Sequence, residues 1–163
     1  MPVLSTERDL DDLTLTITAE LAAPPARVWQ VWADPRQLER WWGPPTWPAT
    51  FVQHDVVVGG TSRYYMTGPE GEKAHGWWRV TALDEPRSLE FEDGFSNEAW
   101  EPSADMPVIH ARVDLEGTAD GTLMTVRSRF DTAEQMEQVM AMGLAEGMTE
   151  AMGQLDDVVL AGV

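Results

Sequence analysis

The run from Asp131 to about Leu160 constrains this chain more than any other stretch. Asp131 followed by Glu134 has the form of a capping box, and no stop signal follows until Gly162, although Gly143, Gly147 and Gly153 weaken the helix. Thirty or so residues at about 1.5 Å each would make a rod of roughly 45 Å. Met136, Val139, Met140, Leu144, Met148, Ala151, Met152, Leu155, Val158 and Val159 recur at helical spacing. Gly143 and Gly147 fall in the middle of that apolar arc, where each costs about 1 kcal/mol relative to alanine. Bare backbone on a buried face implies either close packing or open space. Gln154 projects onto the same arc, with Glu150 at its edge. The pattern predicts one helix over 132–158 that serves as the wall of a ligand pocket.

Upstream, the hydrophobic period changes from helical to alternating. Residues 1–12 are polar and acidic without a period and read as a flexible arm ahead of one domain over 13–163. Leu13, Leu15, Ile17, Ala19 and Leu21 alternate with polar residues, which predicts a half-buried strand. Pro24-Pro25 opens a helix with Val28, Val31 and Trp32 on its inner stripe. Asp34-Pro35 ends it and starts a second short helix carrying Leu38, Trp41 and Trp42, with Asp34 as N-cap. Strands are expected at about 49–58, 61–67, 74–83, 87–93, 107–118 and 122–130, parted by turn signals such as Gly59-Gly60 and Ala119-Asp120-Gly121. The segment 94–107 breaks the alternation and reads as a long loop. These elements amount to an α+β chain whose seven-stranded curved antiparallel sheet has one face to cover, and the terminal helix is the element long enough to cover it.

Bulk properties narrow the partners. Twenty-eight acidic residues oppose eleven basic ones, giving a formal charge of −17 that repels phosphate backbones and anionic bilayers. Nucleic-acid and membrane partners are therefore not expected. No apolar run spans a bilayer and no leader pattern opens the sequence, so a cytoplasmic protein is expected. The absence of cysteine excludes disulfides, thiolate metal sites and a cysteine nucleophile. Eight tryptophans are many for 163 residues; several exposed together would mark a docking surface.

The layout and four strings, LAAPPARVWQVWADPRQLERWWGP (21–44), GGTSRYYMTGPEGEKAHGWWRV (59–80), LDEPRSLEF (83–91) and GLAEGMTEAMGQLDDVV (143–159), resemble the START/birch-pollen-allergen-like (SRPBCC) superfamily. Within it they resemble the bacterial relatives of the activator of heat-shock protein 90 ATPase. The resemblance implies a helix-grip fold and a cavity between sheet and long helix that holds a small apolar or amphipathic molecule.

No catalytic motif accompanies it. The sequence lacks a nucleophile elbow, an H-E-x-x-H pair, a phosphate loop and a dinucleotide fingerprint, so no catalytic residue, metal site or cofactor is expected. Of the histidines, His110 lies on the polar parity of its strand, and His75 on the parity opposite Trp78, Val80 and Ala82. His54 shares parity with Val52 and Val56, which points it inward as a hydrogen-bonded core residue rather than a general base. Strand parity and helical phase bring Trp42, Tyr64, Met66, Trp78, Met140 and Leu144 around a common space, with Gly143 and Gly147 facing it and Glu150 or Gln154 near one end. Three functions fit these residues. The first is a binding module for a small apolar ligand. The second is a cyclase-, hydratase- or hydrolase-type enzyme using Tyr64, His54, Glu150 or Gln154. The third is an interaction domain, with a protein partner or a second copy of the chain.

Overall fold

The alternating segments pair into one antiparallel sheet of eight strands in the computed structural model, which describes residues 3–161. In chain order these are β1 (Val3–Asp9), β2 (Thr14–Leu21), β3 (Ala49–His54), β4 (Thr61–Thr67), β5 (Lys73–Asp84), β6 (Ser88–Ser96), β7 (Ile109–Gly117) and β8 (Thr122–Arg129). Their spatial order is β1-β2-β8-β7-β6-β5-β4-β3, so β8 returns to lie beside β2. The count is eight rather than the expected seven because residues 3–9, read as part of an arm, add a strand to β2. That strand is polar and mostly exposed, so alternation could not reveal it; its backbone hydrogen bonds to β2 hold it. Residues 1 and 2 and the expected stop at Gly162 lie outside the described residues.

Register carries one apolar face across the sheet. Ile17 faces Val126, Val126 faces Val113, Val113 faces Leu89, and Phe91 faces Val80. Directly opposed residues share a face, so these form the inner surface. The double tryptophan of β5 straddles it: Trp78 is fully buried inside, while Trp77 lies outside over Gly94 and donates to the Phe95 carbonyl at 3.2 Å. A register shift between Val80 and Ala82 turns Leu83, rather than Ala82, toward the core.

Helices α1 (Pro25–Ala33) and α2 (Pro35–Leu38) follow β2, each with proline in the first turn. Asp34 caps α2, accepting from the Arg36 amide at 2.9 Å. α2 stops at Leu38, so Trp41 and Trp42, expected on it, lie in the loop that follows, and together with Trp32 of α1 they fill one end of the sheet. Trp32 and Trp41 meet edge-on at 4.7 Å, Trp42 meets Trp78 edge-on at 5.0 Å, and Trp78 stacks on Phe91 at 4.0 Å.

The C-terminal run is not one helix. It divides into α3 (Ala133–Ala141), α4 (Leu144–Met152) and α5 (Leu155–Ala161). Gly143 stands between α3 and α4 with φ +89°, a left-handed conformation that restarts the helical phase. A second break at Gly153-Gln154 precedes α5. The helix start also sits one residue later than the capping-box reading: Thr132, not Asp131, caps α3 by accepting from the Gln135 amide at 3.1 Å. Asp131 instead accepts from His110 at 3.1 Å.

Candidate functional site

The broken helix and the sheet border a half-open cavity of about 380 Å³, inside the range of small-molecule sites. From the helices and the turn between them come Val139, Met142, Gly143, Leu144, Gly147, Met148 and Ala151; from the sheet Tyr64, Met66, Ala74, Asp93, Gly94, Phe95 and Ile109; from the α2–β3 loop Trp42, Gly43, Pro44 and Trp47. On α4 the lining residues stand at positions i, i+3, i+4 and i+7, the spacing of one helical face. A methyl group built on Gly147 would meet nothing within 4 Å, so this glycine opens onto space. Gly143 also lines the cavity, but its bare backbone serves its left-handed turn.

Six of the ten residues expected around a common space line this cavity: Trp42, Tyr64, Met66, Gly143, Leu144 and Gly147. The other four lie elsewhere. Trp78 is sealed beneath the cavity in its stack with Phe91. Met140 lies one residue round the helix from Val139, packed at the edge of the core, because the phase of α3 turns Val139 inward, while Met142 borders the cavity from an exposed position. Glu150 is exposed on the solvent side of α4. Gln154, in the break before α5, donates its side-chain amide to the carbonyls of Gly43 at 2.9 Å and Trp41 at 3.3 Å, so it ties the helices to the α2 loop.

Two side chains supply the polar chemistry. Tyr64 donates its hydroxyl to Asp93 Oδ1 at 2.8 Å. The reach is possible because Gly76 stands between them. Tyr64 pairs with Gly76 on β5, Gly76 pairs with Phe95 on β6, and Asp93 pairs with Trp78. The phenol ring lies across the bare glycine, where a Cβ would sit 2.5 Å from the ring carbon bearing the hydroxyl. Phe51 holds the other ring face, stacked at 4.9 Å.

Burial pushes the Asp93 carboxyl up to about 7, against the opposing pull of the Tyr64 hydrogen bond. Burial, and then the carboxyl beside it, also raise the Tyr64 phenol well above its usual range, so it stays a neutral donor. The indole N–H groups of Trp42 and Trp78 are buried without a hydrogen-bond partner. They act on the phenol as dipoles that weakly favour its anion, and burial outweighs them.

Asp93 went unnoticed in the sequence. Its signal was parity: Leu89, Phe91 and Asp93 occupy one face of β6, and an acid in third place on an apolar face needs an explanation. The catalytic candidates do not converge. His54 spends both ring nitrogens at 2.7 Å, one on the Ser62 hydroxyl and one on the Trp32 carbonyl, and burial lowers its pKa, so it is a neutral structural residue. It faces inward as expected, but through a register shift between Phe51 and Gln53 that leaves Val52 exposed. Among the described residues no group of three or more histidine, aspartate or glutamate side chains could hold a metal ion. No helix there is long and apolar enough to cross a membrane.

Comparison with known proteins places this geometry in a family. A protein from Arthrobacter aurescens is 50% identical, with a TM-score of 0.94 over 98% of this chain and 92% of its own. One from Mycobacterium smegmatis is 49% identical, with a TM-score of 0.89 over 96% of each chain. A third, from Nitrosomonas europaea, is 25% identical, with a TM-score of 0.81 over 93% of this chain and 96% of its own. No curated protein matches the chain. The model of the family described as "Activator of Hsp90 ATPase homolog 1-like protein" matches residues 22–159. With that match spanning both short helices, the sheet from β3 to β8 and all but the end of the broken helix, the chain belongs to the Activator of Hsp90 ATPase homolog 1-like family of the SRPBCC type.

Proposed function

We propose that the protein binds a small apolar or amphipathic molecule in the cavity between its sheet and helices α3 and α4. The observation that carries this reading is Gly147: a glycine inside a helix, bordering open space where larger residues would otherwise close the wall. The lining supports it, being apolar except at Tyr64 and Asp93. A docking surface of tryptophans has less support, because five of the eight are buried and Trp47, Trp77 and Trp100 are half-buried. The acidic surface disfavours nucleic acid and anionic bilayers as partners.

The test is Gly147→Leu. The side chain enters the cavity and recovers helix propensity of about 1 kcal/mol. Binding of the neutral dye N-phenyl-1-naphthylamine, read by fluorescence, should be strong in the wild type and lost in the variant, while the melting temperature stays level or rises. A wild type that fails to bind the dye, together with a large drop in melting temperature in the variant, would leave the cavity reading without support.

A further inference from the structure

The cavity holds one acid and no base. Among its lining residues only Tyr64 and Asp93 titrate, and no lysine, arginine or histidine faces in. Asp93 makes one hydrogen bond, from Tyr64 to Oδ1, and Oδ2 has no partner among the described residues. The residues directly opposite Asp93, Trp78 on β5 and Ile109 on β7, carry no charge. The lining residues of α3 and α4, among them Val139 and Gly147, carry none either. A carboxylate desolvated in this way lacks a cation to compensate it. Aromatic rings surround the same space, with Trp42, Trp47, Tyr64 and Phe95 in the lining. Such rings attract a cation through their faces.

We infer that the ligand of this cavity is a lipophilic amine, its protonated nitrogen paired with Asp93 and its apolar body against Leu144, Gly147 and Met148. The inference rests on the cavity reading and narrows it to one head-group chemistry. The field of the whole molecule, at −17, concentrates cations at its surface and repels fatty acids and other amphipathic anions. Tyr64 orients the carboxyl without competing for its free oxygen. With the carboxyl titrating near 7, occupancy follows pH. Below that point the acid is neutral, and amine affinity falls about tenfold per pH unit. Above it the affinity levels off until the amine itself loses its proton.

The experiment uses three probes with one body: 1-naphthylmethylamine, 1-naphthalenemethanol and 1-naphthoic acid. Calorimetric titration of the wild-type protein at pH 8 should rank the amine at least tenfold tighter than the alcohol, and the alcohol tighter than the acid. At pH 5.5 the advantage of the amine should vanish while alcohol binding persists. At pH 7, titrations in two buffers of different ionisation enthalpy should show about half a proton released with the amine and none with the alcohol, a readout that needs no variant. Asp93→Asn should remove the preference for the amine and keep the alcohol, and Tyr64→Phe should keep the preference with its pH threshold moved up. Equal binding of amine and alcohol at pH 8, or tightest binding of the acid, overturns the inference and leaves the cavity reading standing. Binding of none of the three overturns both.

Discussion

At the scale of single residues, the site depends on an absence of side chain. Gly76 lets the Tyr64 ring lie flat and reach Asp93, and the ring cannot retreat because Phe51 stacks on its other side. Gly76→Ala should therefore cost about 1–3 kcal/mol in a denaturant melt, the cost of overpacking a filled core, and should lengthen or break the Tyr64–Asp93 hydrogen bond. A variant as stable as the wild type would show that the ring has somewhere else to go. Asp93 makes a prediction of opposite kind. Its carboxyl titrates near 7 in the fold and near the ordinary aspartate value when unfolded, so between those values the folded state holds the extra proton. Stability on its account is greatest in acid and is lost as pH rises through 7. Asp93→Asn should remove that slope and raise stability at pH 8, by on the order of 2–4 kcal/mol, with little change at pH 4. Superimposable stability–pH curves for the two proteins would contradict it. Tyr64 was legible in the sequence from parity alone, but its partner was not. An aspartate reads as surface unless its strand neighbours are followed to the end, and the glycine that joins the pair lies on a third strand.

At the scale of elements, the two glycines that read alike in the sequence do different work. Gly143 is left-handed and its Cβ would meet an atom only at 4.0 Å, so the obstacle there is backbone strain. Gly147 has helical neighbours on both sides and space beside it. Gly143→Ala should cost about 1–2 kcal/mol, the strain of holding a side chain in the left-handed region, whereas Gly147→Ala should gain up to about 1 kcal/mol. Thermal melts of the two single variants should shift in opposite directions. Matching shifts would mean that α3 and α4 can fuse into a straight rod. Helical periodicity showed that an apolar face existed, and correctly placed Leu144, Gly147 and Met148 on it. It could not show that the phase restarts at Gly143, because a glycine weakens a helix and ends one with the same letter. Periodicity carried unbroken through Gly143 therefore puts Met140 on the cavity face, where the structure puts Val139.

At the scale of the molecule, the alternating strands, the short helices and their order followed from hydrophobic pattern, and the cavity between sheet and helix from the glycine-bearing apolar arc together with the resemblance. The first strand did not, since polar edge strands are held by backbone pairing that side-chain pattern does not record. β1 also touches α4, where Arg8 reaches Glu146 at 3.5 Å, so the edge strand abuts the helix that forms part of the cavity wall. Removing residues 1–9 should leave β2 as an open edge, raise light scattering on concentration, and weaken N-phenyl-1-naphthylamine binding together. A monomeric truncated protein with full dye affinity would show that β1 supports nothing. The divided helix has a kinetic consequence. α4 is bounded by the turn at Gly143 and the break at Gly153-Gln154, so this part of the wall is a separate helical unit joined to its neighbours through two backbone breaks. On the proposed binding reading, the exit rate of a guest should follow substitutions at the two ends of this nine-residue helix more than substitutions in the strands.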